Sequence, residues 1–148
     1  MPFSYSPGLV ALSIVVAIVV SFTALRLGAR VAESQHAAKG PWLILGALSM
    51  GIGIWSMHFI GMLAVFLPIE LHYNLGITVL SLLAAIVTSG FALWIASSSA
   101  LGLPRHLGCS VLMGLGIVTM HYTGMSAIPI TPAISYDIPL VLISAAIA

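Results

Sequence analysis

Gly46-Ala-Leu-Ser-Met-Gly-Ile-Gly-Ile-Trp-Ser-Met-His-Phe-Ile-Gly-Met-Leu-Ala64 returns 63 residues later as Cys109-Ser-Val-Leu-Met-Gly-Leu-Gly-Ile-Val-Thr-Met-His-Tyr-Thr-Gly-Met-Ser-Ala127. Each copy sets a histidine between two methionines inside an apolar run of membrane-helix length. An imidazole in hydrocarbon is costly, so an ionisable residue there is read first as part of a functional site. Two of them at matching positions point to one repeated structural unit and one shared role.

The composition around these segments agrees. The 148 residues are 61% hydrophobic and 5% charged, where a soluble domain carries roughly 25% charged residues. That excludes an ordinary soluble enzyme or binding module, and nucleic acid is not an expected partner. Apolar stretches run from about Gly8 to Leu27, Pro41 to Leu67, Leu75 to Ser97 and Leu107 to Ile128. Each reaches the roughly 20 residues that a helix needs to cross a bilayer. A fifth starts near Ile138 with 11 residues remaining, about 16 Å of helix or half a membrane, so the chain reads as a piece of a longer membrane domain. The expected fold is all-α: a polytopic membrane helix bundle of repeated helical hairpins with the third repeat cut short.

The few charges set an expected orientation. Arg26, Arg30 and Lys39 lie between spans one and two and Arg105 between spans three and four, while Glu70 and Asp137 occupy the opposite loops. The positive-inside rule makes the Arg- and Lys-bearing loops cytoplasmic, with the N-terminus outside. No cleavable signal peptide fits, because the first positive charge follows the first apolar run. The single cysteine, Cys109, cannot form an internal disulfide and reads as a small apolar residue.

The duplication is longer than the histidine segments. Tyr5-Ser-Pro-Gly-Leu-Val-Ala-Leu-Ser13 matches Tyr73-Asn-Leu-Gly-Ile-Thr-Val-Leu-Ser81, and Tyr136-Asp-Ile-Pro-Leu-Val-Leu-Ile-Ser144 opens a third copy. The unit is a hairpin that descends from outside, turns and climbs back with the Met-His motif. Since all copies share one orientation, their pseudo-symmetry axis runs along the membrane normal and equivalent residues sit at equal depth. His58 and His121 are therefore expected at one level. With span two ending near Leu67, that level is roughly 14 Å inside the outer end, in the outer half of the bilayer.

Residues four apart share a helix face, which sets His58 over Met62 and His121 over Met125. A neutral imidazole with a soft thioether suits copper, Cu(I) above all, better than the oxygen-seeking cations. Met57 and Met120 stand about 100° around the helix from each histidine, less natural as chelate partners in one helix but able to face a neighbour. Against the ligand reading, methionine also fills apolar interfaces and a membrane histidine can hydrogen-bond across helices. Gly51, Gly53 and Gly61 recur as Gly114, Gly116 and Gly124 and read as close-packing positions. His36 and His106 read as solvated or interfacial loop residues and His72 as an outer-loop residue. Trp42, Tyr5, Tyr73 and Tyr136 sit near span ends, where aromatic anchors are expected.

Met120-His121-Tyr122-Thr123 resembles the signature of the MHYT family of bacterial membrane sensor domains, and Met57-His58-Phe59-Ile60 is the same element in variant form. The resemblance covers nearly the whole chain, with the repeats, topology and trailing Gly-Met all in agreement. It implies a non-catalytic sensor in a bacterial inner membrane, with three such repeats in typical members. It also implies a cytoplasmic output domain, in many members a diguanylate cyclase or phosphodiesterase handling cyclic di-GMP. Copper binding and sensing of oxygen, nitric oxide or carbon monoxide are implied as well, with Met57, His58 and Met62, and Met120, His121 and Met125, as ligand candidates. Expected partners are thus the lipid bilayer, a diatomic gas and an output domain, with a second copy of the chain left open.

Two other functions suit the same residues. In a haem-binding redox protein, His58 and His121 would be axial ligands. In a copper transporter or chaperone, Met and His would form a relay, to which Met50 and Met113, about two turns below the histidines, would contribute.

Overall fold

The computed structural model describes residues 4–34, 36–66, 73–97, 102–128 and 137–147. These form a two-residue strand β1 (Ser4–Tyr5), the long helices α1 (Pro7–Glu33) and α2 (His36–Leu63), a two-residue strand β2 (Val65–Phe66), then α3 (Leu75–Ala96), α4 (Leu103–Ser126) and α5 (Ile138–Ile147). Glu70, His72 and Tyr136 lie outside the described residues, as do the side chains of His36, Arg105, His106 and Cys109.

The helices start where the chain chemistry says they should. Pro7 opens α1 and Pro104 lies in the first turn of α4, where a missing N–H costs nothing. The Asn74 side chain accepts from the Ile77 amide at 3.2 Å at the start of α3, and Asp137 Oδ1 accepts from the Leu140 amide at 3.3 Å at the start of α5. Such side-chain oxygens satisfy amides that have no partner within the helix. Positions 74 and 137 are equivalent in the repeat, so the capping device is duplicated with the fold.

The bundle is all-α and membrane-type, as its sequence pattern predicts. Pro7–Glu33, Lys39–Leu63 and Leu75–Ala96 are each long and apolar enough to cross a membrane. At 24 residues α4 matches them in length, about 36 Å. Several boundaries differ from expectation: α2 begins at His36 rather than Pro41 and α4 runs from Leu103 to Ser126 rather than from Leu107 to Ile128, and two further differences have a clear cause. α1 runs on past Arg26 and Arg30 to Glu33, because charge ends a hydrocarbon span without ending a helix. α2 stops at Leu63 rather than Leu67, since Val65 and Phe66 leave it to pair antiparallel with Tyr5 and Ser4.

Packing runs in chain order: α1 against α2, α2 against α3, and α3 against α4, with α5 resting more lightly on α4. The glycines set these approaches. A Cβ on Gly53 would collide with Val20, and one on Gly116 with Thr88, pairs that the repeat makes equivalent. A Cβ on Gly51 would come 2.5 Å from the Ile86 Cα, so α2 and α3 touch backbone to backbone. Each hairpin is then closed at its far end by the same bond. The Ser6 amide donates to the Ala64 carbonyl and the Asn74 amide to the Ala127 carbonyl, both at 2.8 Å.

Small residues, among them Ala47, Ala64, Ser81, Ala85, Ser89 and Ala127, make up about half of the buried core, beside Val31, Phe59, Leu93 and Met120. Large aliphatic side chains such as Ile18, Leu25, Val87 and Leu115 point outward. Close helix contact through small residues, with bulky chains facing lipid, is how membrane bundles pack.

Candidate functional site

His58 and His121 each stand five residues before the end of their helix, about 8 Å below it. This is nearer the end than the 14 Å expected for a span reaching Leu67. Their rings meet with centroids 4.7 Å apart at an interplanar angle of 68°. α2 and α4 touch little overall, so this meeting is a local event. The equal depth expected of parallel repeats is what makes it occur.

Both rings are held by aromatic neighbours. Phe59 stands edge-on to His58 at 5.7 Å, and Tyr122 edge-on to His121 at 4.9 Å. His58 Nε2 is buried without a hydrogen-bond partner, and it faces α4 at Gly124, where an added Cβ would stand 3.5 Å from it. A buried polar nitrogen left unpaired costs roughly 1–3 kcal/mol.

A cavity of about 280 Å³ opens beside the pair, lined by Ile54, Met57, His58, Ile117, Val118, Met120, His121, Tyr122 and Ser144. Met57 and Met120 thus share the cavity with both histidines. Met62 and Met125 do not line it and lie, half-buried, in the last turns of α2 and α4. The helix face that meets a neighbour is decided by packing, and here packing turns the residue preceding each histidine toward the cavity. Among the described residues no three His, Cys, Asp or Glu side chains gather in one place. The donors available are two imidazoles and two thioethers, a neutral, soft set that fits Cu(I) and does not fit a cation that prefers oxygen.

Two hydroxyls complete the lining that the sequence pattern missed. Tyr122 Oη lies 3.3 Å from Ser144 Oγ, which itself donates to the Val141 carbonyl at 2.8 Å. The signal was present in the repeat: Ser144 is the third-copy equivalent of Ser81 and Ser13. Ser81 accepts from Trp55 Nε1 at 3.0 Å, and Ser13 donates to the Met57 carbonyl at 3.0 Å. All three serines therefore bind a motif-bearing helix near its histidine.

Behind His58, Trp55 and Phe59 pack at 4.4 Å and Phe59 and Tyr73 at 5.8 Å, along a groove that also includes Thr78. The Tyr73 hydroxyl is buried with no partner, and burial pushes its phenol up. Toward the opposite end, Met50 and Met113 line an apolar cavity of about 610 Å³ with residues of α1 and α3.

Residues 1–40, 51–109 and 114–148 match the family profile MHYT, described as a bacterial signalling protein N terminal repeat. The chain belongs to the MHYT family. The second and third matched segments carry His58 and His121, so each histidine has its own copy of the MHYT repeat. Over 134 residues, 90% of the chain, it is 52% identical to the bifunctional diguanylate cyclase/cyclic di-GMP phosphodiesterase MucR of Pseudomonas aeruginosa, covering 20% of that protein. It is 41% identical over 98% of its length to the cyclic di-GMP phosphodiesterase NbdA of the same organism, covering 18% of it. It is also 38% identical over 84% of its length to the signaling protein YkoW of Bacillus subtilis, covering 16% of it. The MHYT chain therefore spans a fifth or less of these relatives, and it is a signalling domain of a kind found in cyclic di-GMP turnover proteins. No solved structure matches it.

Proposed function

We propose that this domain is a non-catalytic membrane sensor that holds copper, as Cu(I), at the His58–His121 pair. Its signal is a diatomic gas (oxygen, nitric oxide or carbon monoxide) or a redox change. The observation that carries the reading is the 4.7 Å approach of the two rings, close enough for both to reach one ion. Met57 and Met120 line the same cavity and supply the soft sulfur that Cu(I) favours. Copper held by these residues would supply a soft, redox-active ion to which a small guest could bind. The edge contact leaves no gap for a macrocycle between the rings, which favours a single ion over haem.

The protein's part is to turn a change at the pair into a change of packing. His58 and His121 stand on helices that otherwise reach one another mainly through α3, so a change at the pair would act on how α2 and α4 sit against it. From His58, α2 runs 22 residues back to His36, about 33 Å toward the opposite end. A signal follows only if the guest binds two packings with different affinity. The separation of Arg26, Arg30 and Lys39 from the histidine pair supports a site in the outer half of the bacterial inner membrane, with the N-terminus outside. The relatives support cyclic di-GMP turnover as the class of cytoplasmic output.

The test is metal analysis of the purified domain reconstituted with Cu(I). Wild type is expected to bind copper, and His58→Ala and His121→Ala to lose most of it. Wild-type copper content in both variants, or none in wild type, would overturn the reading.

A second reading, copper passage, draws on Met50 and Met113 meeting in one cavity on the far side of the bundle. Transport needs sites at several depths that release as well as bind. Copper flux into proteoliposomes that stops in His58→Ala would favour it over sensing.

A further inference from the structure

The cavity of about 610 Å³ away from the histidine pair is a groove with α1 on one side and α3 on the other. Gly28 and Ala29 line the first wall and Ala92 and Ala96 the second, with Met50 of α2 and Met113 of α4 deeper in the bundle. Apart from Ser21, every residue along it is apolar. An alkyl chain is the guest that such a surface favours.

Lys39 stands at the mouth of this groove. Met50 follows it by 11 residues on α2, three turns and about 20°, so the two share one helix face. The Lys39 ammonium donates to the Ser97 carbonyl at 3.4 Å, one residue beyond Ala96. That partner is neutral, and the bond uses one of three ammonium protons. Among the described residues no carboxylate is paired with this half-buried cation. A charge at the edge of hydrocarbon is costly without a counter-charge. The arginines of α1 do not compete for the place. Arg26 and Arg30 are each two residues from Gly28, on the opposite side of the helix, and the Arg26 guanidinium lies over the Phe22 ring, 5.0 Å from its centre.

The length of the groove fits as well as its charge. From Lys39 to Met50 is about 16 Å of helix, and one leaflet of hydrocarbon is about 15 Å thick, half of the full core. An acyl chain whose headgroup is held at Lys39 therefore ends near Met50.

We propose that this groove is a binding site for one anionic phospholipid, with an acyl chain against Gly28, Ala29, Ala92 and Ala96 and the phosphate on the Lys39 ammonium. Basic positions between membrane helices hold anionic headgroups in the same physical way. A chain in the groove joins α1 to α3, which make little direct contact. The site is separate from the histidine pair and does not rest on the copper reading.

The experiment is native mass spectrometry of the detergent-purified domain, supplied with phosphatidylglycerol and phosphatidylcholine of identical acyl chains. Wild type is expected to retain one phosphatidylglycerol per chain in preference to phosphatidylcholine. Lys39→Gln should lower that preference about 5-fold, the effect of one Lys beside an anionic surface, and Lys39→Arg, which keeps the charge, should keep it. Arg30→Gln removes the same charge from the other side of α1 and should leave the preference unchanged. Ala29→Phe fills the groove from an exposed position and should release the lipid with Lys39 in place. Equal retention of both lipids by wild type, or a wild-type preference in Lys39→Gln, overturns the proposal. So does an equal loss in Arg30→Gln, which would reduce the effect to net charge. A dimer that forms without lipid and is lost in Ala29→Phe overturns it too, because a second copy would then fill the groove.

Discussion

The ring of His121 stands edge to face with that of His58 at 4.7 Å, between two helices that make little contact elsewhere. Parallel repeats bring equivalent residues to one depth, which is what lets this pair meet. If both rings hold one ion, the two residues act as a unit and their removal is not additive. We therefore expect the His58→Ala/His121→Ala double variant to bind no less copper than either single variant. Chelator-competition titration with Cu(I) would check this. Single variants that each keep half of the wild-type copper would instead indicate two independent sites.

Gly124 and Gly61 are equivalent in the repeat but face different partners. A methyl on Gly124 would stand 3.5 Å from His58 Nε2 and 3.4 Å from Phe59 Cε2, whereas one on Gly61 would meet only Ser13 Oγ at 3.6 Å. These are ordinary contacts, so both alanine variants are expected to fold with stability changed by less than about 1 kcal/mol. Gly124→Ala would nonetheless block the approach to Nε2. Copper affinity should fall in Gly124→Ala and hold in Gly61→Ala, measured by the same titration.

Much of this is legible in the sequence. The hairpin repeat, the helices and the shared depth of the histidines follow from hydrophobic run lengths and from two sequence offsets. Which methionine of each motif lines the cavity does not. Met57 and Met62 both flank His58, and which of them meets α4 depends on helix rotation, a property of packing that Gly51 and Gly53 control through their contacts with Ile86 and Val20. The end of α2 at Leu63 depends likewise on Val65 and Phe66 finding β1, some 60 residues earlier in the chain. Ser144 was readable as a repeat position but not as a cavity residue, because that depends on how α5 packs against α4.

Thr88 makes Gly116 intolerant of substitution. Its Oγ1 is tied to the Ala84 carbonyl at 2.8 Å, and its β-branched side chain is stiff in a helix, so it cannot swing away from a Cβ on Gly116. Gly116→Ala is expected to destabilise the bundle by about 1–3 kcal/mol, the cost of overpacking. Thr88→Ala should recover most of that loss in the double variant. Gly40, with nothing within 4 Å, is the control: Gly40→Ala should stabilise by about 0.4–1 kcal/mol. Thermal melts followed by circular dichroism in detergent would rank all four proteins, and an unperturbed Gly116→Ala would refute the packing argument.

Tyr73 and Ser81 lie on the same flank of α2 and make opposite predictions. Ser81 Oγ accepts the Trp55 indole proton, so Ser81→Ala leaves that N–H without its acceptor and should cost about 1–3 kcal/mol. The Tyr73 hydroxyl is buried with no partner, so Tyr73→Phe removes an uncompensated polar group and should be neutral or stabilising. The pH dependence gives the same comparison a second axis. Burial raises the Tyr73 phenol above its ordinary value of 10.0. The folded state therefore favours the protonated form, and stability is full below pH 10.0 and declines as pH rises through the raised folded value. Tyr73→Phe lacks that titration, so its stability should decline less than wild type on the alkaline side while the two curves run parallel below it. Unfolding measured from neutral pH upward would show this, and identical alkaline limbs would mean that the Tyr73 hydroxyl reaches water.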